Sequence, residues 1–421
     1  MTGARPLRIR GFRDLLVAQL VSLFGDHVYF LVFLFMAKEV SDGNWQVGLV
    51  MAAQAVPFLV FWPLAGIAAD RIDRRKIMAF ADFASAGLTA SLAGIAVFHP
   101  QPPIWVIGAF AFLLSSVNAF FMPARMAGLP RLVPQELLGE ANALFITMQQ
   151  MVGMVSIAVS AVVLGVIFEL APSVFLLTAA ILNSVTFLFS GYWVLRLPEM
   201  APARDSEGDK EPHGWGEFKE GVRTVFKDKV LRIILPANML AQMFISGFMV
   251  VYVEVNKVWF GGSYYTFAWI EFSFAASMAA MGLYVGRLKI GRPGLSFSLA
   301  TAAVGLTVLM MAWAQNFWLF VFWNALAGFA VPFAWLPIQV YIQSAFKDKV
   351  RGKVSSAWMS SQMGVQPVGL LSVGPLLDWL GLNGIFLLMG GGMAAAGFLG
   401  LLSKACRDGR MPEPADEPHA A

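Results

Sequence analysis

The feature that most constrains this chain is a succession of apolar runs, each close to the length of one membrane crossing. A helix needs about 20 apolar residues to span a bilayer. In lipid it must also satisfy every backbone polar group within itself. Such runs are read at about 14–37, 46–69, 77–98, 104–124, 140–168, 173–197, 230–255, 264–286, 295–314, 317–344, 354–377 and 384–403. Turn-forming clusters separate them, among them Asp42-Gly43-Asn44, Pro100 to Pro103, Gly261-Gly262 and Arg292-Pro293-Gly294. The pattern predicts an all-α, polytopic membrane protein with twelve transmembrane helices. Composition closes off the alternatives. Only 13% of the 421 residues are charged, about half the share of a soluble domain. Cys406 is the sole cysteine, which excludes a disulfide scaffold. No signal-peptide pattern precedes the first run, so span 1 is expected to remain in the mature protein.

Charge gives the orientation. Of the 30 lysines and arginines, 28 fall at the termini, in the central segment or in loops on one side, leaving Lys38 and Lys257 on the other. The positive-inside rule then puts both termini in the cytoplasm, with the protein in a cell inner membrane. The net charge of +4 reflects this topology and calls for no nucleic-acid partner. Lys219, Arg223, Lys227, Lys229 and Arg232 are read as one side of an amphipathic cytoplasmic helix near anionic headgroups, with a solvated linker as the alternative.

The chain also echoes itself. Residues 198–212 are polar and rich in Pro, Asp and Glu, the composition of a flexible linker. They split the spans six and six, predicting a six-helix half at 1–197, a linker with an amphipathic helix at 198–229, a second half at 230–405 and a cytoplasmic tail at 406–421. Gly139 and Gln149 recur as Gly352 and Gln362, each 213 residues on. Repeated halves around a central cavity are the architecture of secondary transporters.

The loop after span 2 reads Gly66-Ile-Ala-Ala-Asp70-Arg71-Ile-Asp73-Arg74-Arg75-Lys76. It resembles the signature loop of the major facilitator superfamily, Gly-x-x-x-Asp-Arg-x-Gly-Arg-Arg, with Asp73 where the pattern has glycine. The resemblance covers 10–405 and implies two six-helix halves working by alternating access. It implies a cytoplasmic gate built from Gly66, Asp70, Arg71, Arg74 and Arg75, with Gly66 permitting close helix approach. Asp70 would bind the N-terminus of span 11, where the helix dipole favours an anion. Met122-Pro-Ala-Arg125, Leu129-Pro-Arg131 and Ala141-Asn-Ala143, with Phe24-Gly25-Asp26 in span 1, are similar to the exporter branch that includes enterobactin exporters and macrolide efflux pumps. Lysophospholipid transporters share Phe-Gly-Asp. The Gly-Pro pair of drug antiporters is absent from 149–168.

Ionisable residues at membrane depth cost about 2.5–3.5 kcal/mol on insertion scales and are functional candidates by default. Asp26 lies twelve residues past Asp14, about 18 Å along a helix, near the midplane. Glu271 lies about a third of the way into span 8. Both are expected to couple transport to protons, because apolar surroundings favour a neutral carboxyl group. Asp82, near the inner end of span 3, is expected to join the basic loop network. Helical spacing nominates a substrate cavity from Gln19, Ser22, Asn118, Arg125, Gln149, Asn238, Gln242, Asn324, Trp335, Gln339, Gln362 and Gln366. Amides and hydroxyls also serve as interhelical glue.

No phosphate-binding loop, metal cluster or catalytic triad is legible, so no cofactor, metal or enzymatic activity is expected. The reading is a secondary active transporter, proton-coupled and monomeric, that exports an amphipathic small molecule of the drug or siderophore class. Transport of lipid or lysophospholipid, or uptake of an organic solute, are the alternatives. The expected partners are the substrate, protons and membrane lipid.

Overall fold

The computed structural model describes residues 6–171, 174–201, 215–288, 290–346 and 348–411. The chain divides into two compact units. One comprises Met1–Glu207 with Gly262–Ala268, the other Gly208–Gly261 with Trp269–Ala421. The described secondary structure is helical throughout.

The first unit holds α1 (Arg10–Glu39), α2 (Asn44–Arg71), α3 (Arg74–Phe98), α4 (Ile104–Leu132), α5 (Leu138–Leu170) and α6 (Phe175–Leu195). α1 packs on α5 and α6, α2 on α4, and α3 on α4 and α6. Gly25 makes the α1–α6 approach possible. A Cβ there would sit 2.1 Å from Thr186 Oγ1 and 2.7 Å from Asn183 Oδ1, so any larger residue would push the helices apart.

The second unit holds α7 (Trp215–Lys227), α8 (Leu231–Ser246), α9 (Phe248–Trp259), α10 (Tyr264–Val285, whose first turn belongs to the first unit), α11 (Pro293–Met311), α12 (Phe317–Ala345), α13 (Asp348–Leu402) and α14 (Lys404–Asp408). α11 and α13 meet backbone to backbone. A Cβ on Gly305 would lie 2.2 Å from the Ala394 nitrogen. Small residues at such seams replace the hydrophobic drive that lipid removes.

Among the described residues, ten helical stretches are long and apolar enough to cross a membrane. The runs read separately at 354–377 and 384–403 both fall within α13, which kinks at Gly381, φ 66° and ψ 179°, into two helices. Only a residue without Cβ takes that conformation cheaply. α8 and α9 form one stretch, Leu231–Trp259, broken lightly at Gly247. α5 is a further apolar helix of 33 residues. Large apolar side chains face outward, with Phe98 81% and Trp379 79% exposed. Apolar helices dressed this way suit a lipid solvent rather than water.

Much of the segment read as a linker, 202–214, lies outside the described residues. The basic amphipathic helix corresponds to α7, and part of its apolar side packs on protein, while Phe226 is 51% exposed. Val225 is fully buried in a cluster with Val354, Ala357 and Trp358 of α13. Lys353 pairs with Glu220 at 2.6 Å.

Candidate functional site

The second unit contains a cavity of about 360 Å³. Its wall is built from α8, α9, α10, α11, α12 and α13. Most of the lining is apolar and adaptable, with Phe248, Phe274, Met249, Met278, Trp335 and Trp358 prominent. Among the described residues Glu271 is the one carboxylate on the wall, and no lysine or arginine lines it. Burial among apolar neighbours is what chiefly acts on Glu271, with no hydrogen bond to its carboxylate among the described residues. Tyr252 is close enough to feel its charge. Asn238 also lines the cavity, and its buried Nδ2 has no partner among the described residues. A buried donor left open costs about 1–3 kcal/mol, which a ligand acceptor would recover.

The amides nominated in this half divide into two groups. Gln242 lines the cavity and donates from Nε2 to Gln362 Oε1 at 3.0 Å, joining α8 to α13. Trp335 lines it as well. Asn324 does not. It is fully buried, donates to the Ile270 carbonyl at 2.6 Å and accepts from the Tyr252 hydroxyl. It therefore clamps α9, α10 and α12 behind the wall. Gln339 is half-buried and Gln366 exposed, and neither lines the cavity.

The first unit treats its membrane-depth acid differently. Asp26 receives a hydrogen bond from Asn183 of α6. Ser22, one turn before it, is buried. His27 turns aside, its Nδ1 within 2.7 Å of the Leu23 carbonyl. Its ring faces Gly153 of α5. Gln19, Asn118 and Gln149 are half-buried on α1, α4 and α5. Arg125 lies 4.3 Å over the Phe145 ring and donates to Met122 Sδ at 3.0 Å. Its guanidinium is thus engaged with apolar partners rather than a carboxylate.

Asp82 departs from the expectation drawn from its place in the sequence. It does not join the basic loop. It is 1% exposed and accepts a hydrogen bond from Ser190 Oγ at 2.7 Å. The signal that would have found it is the polar stripe Asn183, Thr186, Ser190 on one face of an otherwise apolar α6.

The signature loop is also more self-contained than expected. A Cβ on Gly66 would meet nothing within 4 Å among the described residues. Asp70 and Arg71 are exposed. Asp73 caps α3 by accepting from the Arg75 nitrogen at 3.0 Å, and it also accepts from the Met200 nitrogen at 3.1 Å. Arg74 donates to the Met200 carbonyl at 3.0 Å and Arg75 to the Leu197 carbonyl at 3.1 Å. These three side chains pin the segment that leaves α6. A glycine in place of Asp73 could offer neither bond.

The major facilitator superfamily family model matches residues 15–258 and 234–420. The chain belongs to the major facilitator superfamily. It is a multi-pass membrane protein, and its function is that of a secondary transporter of the alternating-access type. Macrolide efflux protein A of Streptococcus pyogenes is 27% identical, the alignment covering 90% of this chain and 92% of that protein. The multidrug efflux pump Tap of Mycobacterium bovis is 24% identical over 96% of this chain and 95% of its own. Among solved structures, the nucleoside transporter NupG superposes with a TM-score of 0.71 at 15% identity, covering 93% of this chain and 98% of that one. A bacterial homologue of the iron transporter ferroportin matches with a TM-score of 0.71 at 14% identity, over 93% and 98%. These structural likenesses speak for the fold.

Proposed function

We propose that this superfamily member exports an amphipathic small molecule of the drug or siderophore class from the cytoplasm, driven by proton influx. The observation that carries the reading is the second-unit cavity. Its aromatic and methionine wall surrounds the Glu271 carboxylate and an open amide donor, Asn238. Methionine and aromatic surfaces adapt to ligands of varied shape, while a few placed polar groups set orientation. Similarity to the macrolide efflux proteins supports export. In this reading α13 supplies two crossings, hinged at Gly381, and α5 supplies one. Twelve spans then form two six-helix halves at 1–197 and 230–405, joined by the linker 198–229, with the 406–421 tail and both termini in the cytoplasm of a cell holding the protein in its inner membrane as a monomer. Asp26 and Glu271 carry the protons. Asp70, Arg71, Arg74 and Arg75 serve the cytoplasmic side.

The test is flux in proteoliposomes under an imposed pH gradient, with Asp26→Asn and Glu271→Gln beside the wild type. Gradient-driven flux that both variants retain in full contradicts the coupling scheme. The second reading is uptake of an organic solute, or movement of a lipid or lysophospholipid. It draws on the transport proteins for nucleosides and peptides among the structures of like fold. The direction of flux under the gradient separates export from uptake, and a lysophospholipid arm separates lipid from drug.

A further inference from the structure

The first unit contains a buried carboxylate that the scheme above leaves unused. Asp82 sits on α3 with its neighbours Ser85 and Thr89 at helical spacing on the same face, and all three are buried. α6 presents Asn183, Thr186 and Ser190 at the matching spacing, also buried. The two stripes meet: Ser190 donates to Asp82, and Ser184 donates to the Ala86 carbonyl at 3.0 Å. At the other end of the α6 stripe, Asn183 bonds Asp26. Asn183 and Ser190 are seven residues apart, about 10 Å along the helix.

Glue alone explains part of this seam and leaves two groups over. Ser85 Oγ and Tyr29 Oη are buried with no hydrogen-bond partner among the described residues. Ser85 lies one turn from Asp82. Tyr29 lies one turn from Asp26 and feels its charge. Unpaired hydroxyls beside two carboxyls are what a site needs if its hydrogen bonds change with protonation, since a hydroxyl can both donate and accept.

We propose that Asp82 is the inner proton station of the first half, receiving through the α6 polar stripe the proton that Asp26 takes up. The step breaks one O–H bond at Asp26 and forms one at Asp82. Asp26 becomes the anion held by Asn183, and Asp82 becomes the neutral acid. Ser190 stabilises the Asp82 anion before the proton arrives. Besides Tyr29, the titratable groups named on the helices packed around the seam are turned from it. Arg125 of α4 is turned to Met122 and Phe145, Arg131 lies exposed at the end of α4, and His27 faces α5. α6 itself presents no acid or base to the seam. The step rests on the proton-coupled reading given above.

Asp82→Asn separates this role from glue, because the amide oxygen still accepts from Ser190 while the titration is gone. In proteoliposomes, Asp82→Asn is expected to lose gradient-driven flux and keep substrate counterflow, which moves no net proton. Asp82→Glu is expected to restore the driven flux. Infrared difference spectra across a pH step supply a readout that needs no transport: Asp82→Asn is expected to remove one carboxyl band, and Asp26→Asn to shift it. Wild-type-like driven flux in Asp82→Asn overturns the proposal. So does a spectrum of that variant identical to the wild type. A wild type with no gradient-driven flux, yet with the Asp82 band present and shifted in Asp26→Asn, would count against coupling and leave the station standing.

Discussion

Two membrane-depth acids sit in two halves that echo each other in sequence, and their surroundings differ. Asp26 is half-buried on α1 where that helix packs on α6, with Asn183 of α6 bonded to it. Glu271 opens onto a cavity of about 360 Å³ with no hydrogen bond to its carboxylate among the described residues. A carboxylate with a protein partner is held in one geometry, whereas one facing an open apolar cavity is available to whatever enters. The contrast implies a division of labour. The first half handles the proton inside the protein, and the second presents its acid to the substrate.

The comparison can be broken most sharply at Glu271. Glu271→Gln should abolish driven transport and also weaken substrate binding, whereas Asp26→Asn should abolish driven transport and leave binding intact. Equilibrium binding to the detergent-purified variants checks this, and equal loss of binding in both would erase the distinction. Next in size is the packing of the seam. Gly25→Leu should cost about 1–3 kcal/mol through overpacking against Thr186 and Asn183. Gly282→Leu in the second unit, where a Cβ meets nothing within 4 Å, should leave the melting temperature unchanged. Comparable melting curves for the two would deny that the first half is the tighter one. A similar cost is expected behind the cavity wall. Asn324→Ala should lose about 1–3 kcal/mol by stranding the Tyr252 hydroxyl and the Ile270 carbonyl, while Gln339→Ala on the same helix stays near neutral in thermal unfolding. The smallest effect is expected at the loop. Asp73→Gly removes a cap worth about 0.5–2 kcal/mol, typically about 1. It should raise protease cleavage just after Met200 without changing binding in the cavity.

The sequence was most informative where a property is local. Apolar length, turn clusters and the one-sided distribution of lysine and arginine suffice to predict a helical membrane protein, and Glu271, Asn238, Gln242 and Trp335 can be nominated from helical faces. What escaped it depends on distant partners. Asp82 looked like part of the basic loop because Arg74, Arg75 and Lys76 are its chain neighbours, yet its hydrogen bond comes from Ser190, 108 residues on. Arg74 and Arg75 gave no sign of their partners, because their bonds run to Met200 and Leu197, 126 and 122 residues away. Asn324 shares its amphipathic pattern with true wall residues, and only the packing of α9 and α10 around it turns it into a clamp. The docking of α7 on α13 is equally invisible, because an amphipathic helix has the same pattern whether lipid or protein covers its apolar face.

Carbodiimide modification read by mass spectrometry tests the division between the halves most directly. The reagent reacts with protonated carboxyl groups it can reach from a hydrophobic space. The account predicts labelling of Glu271 that substrate suppresses, with Asp26 unlabelled under the same conditions. Labelling of Asp26 to the same extent, or labelling of Glu271 that no substrate protects, would contradict it.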